Sequence, residues 1–172
     1  MSIYQNMNQF AQTQIKGTIA AIVNPVTLSV QIDPASQSTL YAGSAVKLQG
    51  GASNQILVDL AAATDSTFGF IIYNPKKDIF VAGDVVEIAL ANSVIVLEAY
   101  ASITRGNNLE FYPTGNRVKQ NAGVNPICGQ ALDNAAGTGS LLRVLVRTVA
   151  EYSSSSSSSS CRSSSSSSSK SV

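Results

Sequence analysis

Between residues 26 and 32 the chain reads VTLSVQI, alternating apolar and polar at every step. Alternation with period two puts the apolar side chains on one face of an extended backbone, so this stretch is expected to be a strand with one buried face. Apolar, largely β-branched runs follow at 56–58, 68–73, 85–90, 94–97 and 141–146, and another precedes it at 19–23. Residues that bend the backbone stand between them: Asn24-Pro25, Gly50-Gly51, the run from Asn74 to Asp78, Ala91-Asn92-Ser93, and Pro113 to Asn116. Many short strands with such punctuation point to a sandwich or barrel. Helical spacing is scarce: 60–63 and 131–136 have room for a turn or two, and both read more easily as loops. The expected fold class is all-β, a compact barrel or sandwich of short strands with an extended N-terminal arm and a low-complexity C-terminal tail.

One phrase occurs twice. Residues 40–48 (LYAGSAVKL) and 103–111 (ITRGNNLEF) both run apolar, two residues, glycine, two residues, then apolar–charged–apolar. Each is followed further along by a small apolar strand containing glycine, FGFII from residue 68 and ICGQAL from residue 127. A third, similar phrase is VAGDVVEIA at 81–89. The expected physical content is a glycine in a positive-φ turn (Gly43, Gly83, Gly106) launching a strand whose charged residue (Lys47, Glu87, Glu110) points outward.

The ends differ from the middle. Residues 1–14 (MSIYQNMNQFAQTQ) carry no charge and six Asn or Gln, with apolar points at Ile3, Tyr4, Met7 and Phe10. Too polar for a core, this arm is expected to order against something else. The last twenty residues contain sixteen serines, which offer no apolar surface to offset ordering entropy. The resulting division is an arm at 1–14, a β domain at 15–100, a second β subdomain packed on it at 101–152, and the serine-rich tail at 153–172.

Composition narrows the chemistry. Hydrophobic residues make up 44 % of the 172, enough for a core, but charged residues only 12 %, against about 25 % in ordinary soluble domains. A surface this poor in charge suits a protein covered in part by other subunits. The net charge of +1 gives no field to draw in nucleic acid, and no basic stripe with aromatic platforms is visible. The chain contains no histidine, so histidine-based dyads, triads and metal sites drop out. The ten carboxylates are scattered without a D-x-D or E-x-x-H cluster. The glycine-rich 137–140 lacks the Lys-Ser/Thr of a phosphate loop and reads as a turn entering the last strand. Cys128 lies among small and apolar neighbours and is expected to be a buried structural thiol, whereas Cys161 falls in the serine tail. Arg143 and Arg147 share a strand face with Leu145, opposite Leu142, Val144 and Val146, and form a candidate charged interface, or a solvated edge that discourages pairing. No run of about twenty apolar residues offers a membrane helix, and the first ten residues do not look like a signal peptide.

The phrases AGSAVKL (42–48), VAGDVVEI (81–88), ITRGNNL (103–109) and PICGQAL (126–132), with AAGTGS (135–140) and RVLV (143–146), resemble the small capsid decoration, or structural cement, proteins of tailed bacteriophages. There a Gly-x-x-Leu strand, a Pro-Ile-Gly-x-Ala-Leu strand and a closing Gly-x-Gly … Val-x-Val strand recur; here Cys128 stands inside the Ile-Gly step. The resemblance implies a β-rich subunit, commonly a homotrimer, on the outer face of an icosahedral head at three-fold or quasi-three-fold positions. Such a subunit is made in the host cytoplasm, and its partners are the major capsid protein and itself, with no nucleic acid, membrane or small-molecule substrate. In that family an N-terminal extension often does the clamping, which makes Ile3, Tyr4, Met7 and Phe10 the expected arm anchors. No catalytic residue, cofactor or metal is implied. Two other readings compete: a virion-surface or tail-associated β module for host adhesion, and a small hydrolase, which would need carboxylates converging in a pocket.

Overall fold

In the computed structural model, which describes residues 15–20, 25–50 and 55–147, the chain is all-β, with no helix among those residues. The strands are β1 (Thr27–Ile32), β2 (Leu40–Tyr41), β3 (Ala45–Gln49), β4 (Leu57–Leu60), β5 (Gly69–Ile71), β6 (Ile79–Phe80), β7 (Val85–Ala89), β8 (Val94–Glu98), β9 (Asn108–Tyr112), β10 (Arg117–Gln120), β11 (Gly129–Ala131) and β12 (Leu141–Val146). The VTLSVQI alternation becomes β1, which buries Val30 and Ile32 while its Ser29 is exposed. Of the expected strand at 19–23, Ile19 bridges Ile95, and the rest lies almost wholly outside the described residues. The arm at 1–14 and the serine tail also lie outside them.

Strands β1-β4-β3-β5-β7 form a closed barrel, with β1 antiparallel to β7 and parallel to β4. Strands β8 to β12 form a second sheet in the order β10-β9-β11-β12-β8, which curls until Ala99 bridges Val118 in parallel. The two arrangements are one design used twice. β8 stands where β1 stands, between the last strand of its unit and a parallel partner; β9, β10, β11 and β12 repeat β3, β4, β5 and β7. The small β2–β6 ladder, which pairs Leu40 with Phe80, returns as the single bridge from Ile103 to Ala135.

Backbone hydrogen bonds repeat at matching positions. Gly43 N–H donates to Ile71 O and Gly106 N–H to Ala131 O, both at 2.8 Å. Gly83 N–H reaches Ile32 O at 3.1 Å, and Gly139 N–H reaches Ala99 O at 2.9 Å. The phrase seen twice in sequence is therefore the same turn and strand in each unit. Gly43 and Gly106 hold φ of +78° and +90°, which a side chain rarely tolerates. Gly83 also has positive φ and launches β7, but its counterpart is Gly139, which precedes β12. The change of sheet falls at the turn 91–93, so β8 belongs with the second unit, although residues 94–98 lie inside the expected 15–100 segment.

The first barrel has its own interior, with Val46, Val58, Ile71 and Ile88 fully buried between the β2–β6 ladder and the opposite end. The second unit's interior is continuous with side chains on the first barrel's outer wall, Ala45, Ala61, Phe70 and Ala89. Phe70 meets Phe111 edge to face at 6.4 Å, the aromatic centre of the contact between units. Residues 15–20 brace this seam. Gly17 N–H donates to Val96 O at 2.7 Å along the edge of β8 away from β12, and its carbonyl accepts from Tyr73 N–H at 2.9 Å.

One charged residue departs from expectation. Lys47 and Glu87 face outward, but Glu110 is fully buried. The loop at 121–125 folds over it: Asn121 and Asn125 each donate a side-chain N–H to its carboxylate at 3.0 Å, Ala122 N–H adds a bond at 3.3 Å, and Lys119 Nζ sits 3.0 Å away. Alternation assigned the side of the sheet correctly, but on this side a loop covers the sheet.

Candidate interaction surfaces

Because the units share one plan, corresponding ends can be compared. In the second unit the end formed by Ile95, Phe111, Cys128 and Val146 is closed; all four are at most 2 % exposed. The first barrel's wall at Phe70 lies against it. The corresponding positions in the first barrel are Leu28, Leu48, Phe68 and Leu90. Leu48 is 54 % exposed, the other three are half-buried, and the neighbouring Val26 is 48 % exposed. This end is a cluster of apolar side chains on the described surface. The sequence pattern does not mark it, because Leu48 reads as an ordinary core position; aligning 40–48 on 103–111 with the unit contact in view sets it against Phe111.

Arg143 and Arg147 lie on the second unit's outer wall with Leu145 between them, as the alternation of β12 requires. Asp133 accepts two bonds from the Arg143 guanidinium, at 2.8 and 2.7 Å, and Arg147 donates to Gln130 at 2.8 Å. The Arg143 pairing holds the Asp133 carboxyl below the usual range. Both arginines thus engage this chain's own side chains while remaining half-exposed.

Two adjoining depressions of about 350 and 380 Å³ flank Ser29 and Val85 on the first barrel's outer wall. Glu87 is the one carboxylate lining them, so no acid/base pair converges there. Among the described residues no three His, Cys, Asp or Glu gather to hold a metal ion. Cys128 is buried, and burial pushes its thiol up to about 12, far from a reactive thiolate at neutral pH. Glu110 is the exception among buried polar groups. Burial opposes its charge, but Lys119, Asn125 and the Ala122 amide outweigh that and hold its carboxyl below the ordinary value. Its role is to pin the loop at 121–125. The anchors Ile3, Tyr4, Met7 and Phe10 lie outside the described residues.

No family model matches the sequence, and no curated protein matches it. The fold has a solved counterpart. The N base of head fiber gp8.5 in bacteriophage phi29 aligns with a TM-score of 0.52 over 72 % of this chain and 95 % of that one, at 15 % identity. At that identity the likeness is one of fold.

Proposed function

We propose that this protein is a head-associated structural protein of a tailed bacteriophage, a decoration or cement subunit seated on the outer face of the capsid and bridging major capsid protein subunits. The observation that carries the reading is the shared fold with a phage head fiber base, spanning nearly all of that chain. The glycine-punctuated phrases that resemble cement proteins and a surface with few charges support it. The work is adhesion, without a catalytic step. Apolar burial at about 25 cal/mol per Å² and strand-edge hydrogen bonds would supply it. Ile3, Tyr4, Met7 and Phe10 are the proposed capsid anchors, Arg143 and Arg147 the charged part of the surface, and self-association into a trimer would multiply weak single contacts.

Sedimentation of purified protein with empty phage heads tests this reading. Saturable co-sedimentation is expected, lost on deletion of residues 1–14 while the remainder stays folded. Heads that pellet without the protein would overturn the reading; unchanged binding by the deletion variant would remove the arm from it. A second reading, a virion-surface module for host adhesion, draws support from the counterpart being a fiber base. Copy number separates the two: cement lines a lattice in hundreds of copies on the order set by icosahedral symmetry, an appendage in far fewer.

A further inference from the structure

We propose that the uncovered end of the first barrel, centred on Leu48 with Val26, Leu28, Phe68 and Leu90, is the surface through which copies of this chain meet, with these ends gathered on the oligomer's symmetry axis. The proposal rests on the self-association part of the reading above and gives it a location.

The second unit shows what this end does when it is used. The corresponding side chains there, Ile95, Phe111, Cys128 and Val146, are buried against another β surface. In the first barrel the same end carries apolar residues and faces solvent, with Leu48 54 % exposed.

The surface that covers the second unit cannot serve this end from another molecule. In every copy Ala45, Ala61, Phe70 and Ala89 are already under that copy's own second unit. Matching positions on the second unit's wall are Asn108, Asn121, Gln130 and Leu145, by the common registers of β3, β4, β5 and β7 with β9, β10, β11 and β12. Asn121 is tied to Glu110, and Gln130 to the Gly106 carbonyl and Arg147. Polar replacement thus removes this head-to-tail contact. Packing end against end about an axis needs neither wall. None of the five side chains is ionisable, so identical ends approach without like-charge repulsion; the adjacent Lys47 is neutralised by Asp65 at 2.9 Å. An apolar, charge-depleted centre is the composition of a protein–protein contact.

The test is sedimentation velocity of the full chain over a wide concentration range, with Leu48→Glu and Val26→Glu at the open end and Val124→Glu as a control. Val124 is 86 % exposed, on the 121–125 loop of the second unit. Circular dichroism checks that each variant is folded. The expected result is a self-associating wild type and Val124→Glu, with each open-end variant weakening association at least about tenfold, about 1.4 kcal/mol. Association unchanged in both open-end variants would overturn the location and leave self-association standing. A wild type that stays monomeric at every concentration would overturn self-association itself, and the location with it.

Discussion

The first and second units share strand order, pairing sense and turn hydrogen bonds, yet their outer walls differ. Where the first presents Ala45, Ala61, Phe70 and Ala89, the second has Asn108, Asn121, Gln130 and Leu145. One wall is a seat for the other unit, and the other carries polar side chains held by partners within its own unit. A β scaffold leaves its outer positions free to be reassigned. Interior positions are mostly apolar in both units because each must fill its own core, Gln120 in the place of Leu60 being the departure, while the alternate, outward positions record what lies against the unit.

Substitutions at matching positions test how far the two units are alike. The largest contrast is expected between Phe111→Ala and Leu48→Ala, which occupy the same position in the two units. Removing a ring that is 2 % exposed and touches Phe70 should cost about 3–5 kcal/mol. The half-exposed Leu48 should cost less than about 1 kcal/mol in the dissociated protein. Equal losses in urea denaturation would mean the first barrel's end is covered after all.

Gly129→Ala comes next. A Cβ at Gly129 would sit 2.5 Å from Val144 Cγ1 and 2.9 Å from the Leu145 carbonyl oxygen, so about 1–3 kcal/mol of overpacking is expected. Gly69, its counterpart, meets the Ala89 carbonyl oxygen at 2.8 Å, and Gly69→Ala should fall in the same range. A large difference between the two melting temperatures would show that the units are less alike than their hydrogen bonds.

Glu110→Ala has no such parallel, because the matching residue is the outward Lys47. Losing the carboxylate strands Asn121, Asn125 and the Ala122 amide, for about 1–3 kcal/mol, with faster hydrogen exchange confined to residues 121–125. Lys47→Ala should change stability by less than about 0.5 kcal/mol, as for an exposed pair.

The smallest effect is on pH dependence. Asp59, Asp65, Asp84, Glu110 and Asp133 all have carboxyl groups held below their ordinary values. The unfolded chain therefore takes up protons first as pH falls. The stabilisation is full above the ordinary carboxylate range near about 4 and is lost as pH drops through the lower folded values. Thermal melts between neutral pH and pH 3 should show that decline, shallower at the acid end in Glu110→Gln; a flat profile would contradict the pairing geometry.

The strand pattern was legible from particular residues. VTLSVQI, the run at 141–146 and the turn glycines Gly43 and Gly106 specify extended segments and their bends through local alternation and positive φ, which act over a few residues. The repeated phrase marks the same turn and strand in both units for the same reason, since each needs a positive-φ glycine at that place. The burial of Glu110 is not legible in sequence because the covering loop lies eleven residues further on and nothing local announces it. The open end was missed because Leu48 and Phe111 occupy one slot in the phrase, and only packing between units distinguishes them.

By itself, then, the amino-acid order determined that this chain is all-β, short-stranded, poor in charge and internally repetitive, because period-two patterning and glycine turns are local properties. The tertiary structure alone decided which barrel wall receives the other unit, which end stays open, and that a carboxylate on a strand is enclosed by a distant loop. Those outcomes depend on contacts between segments far apart in the chain, and neither spacing nor composition encodes them one at a time.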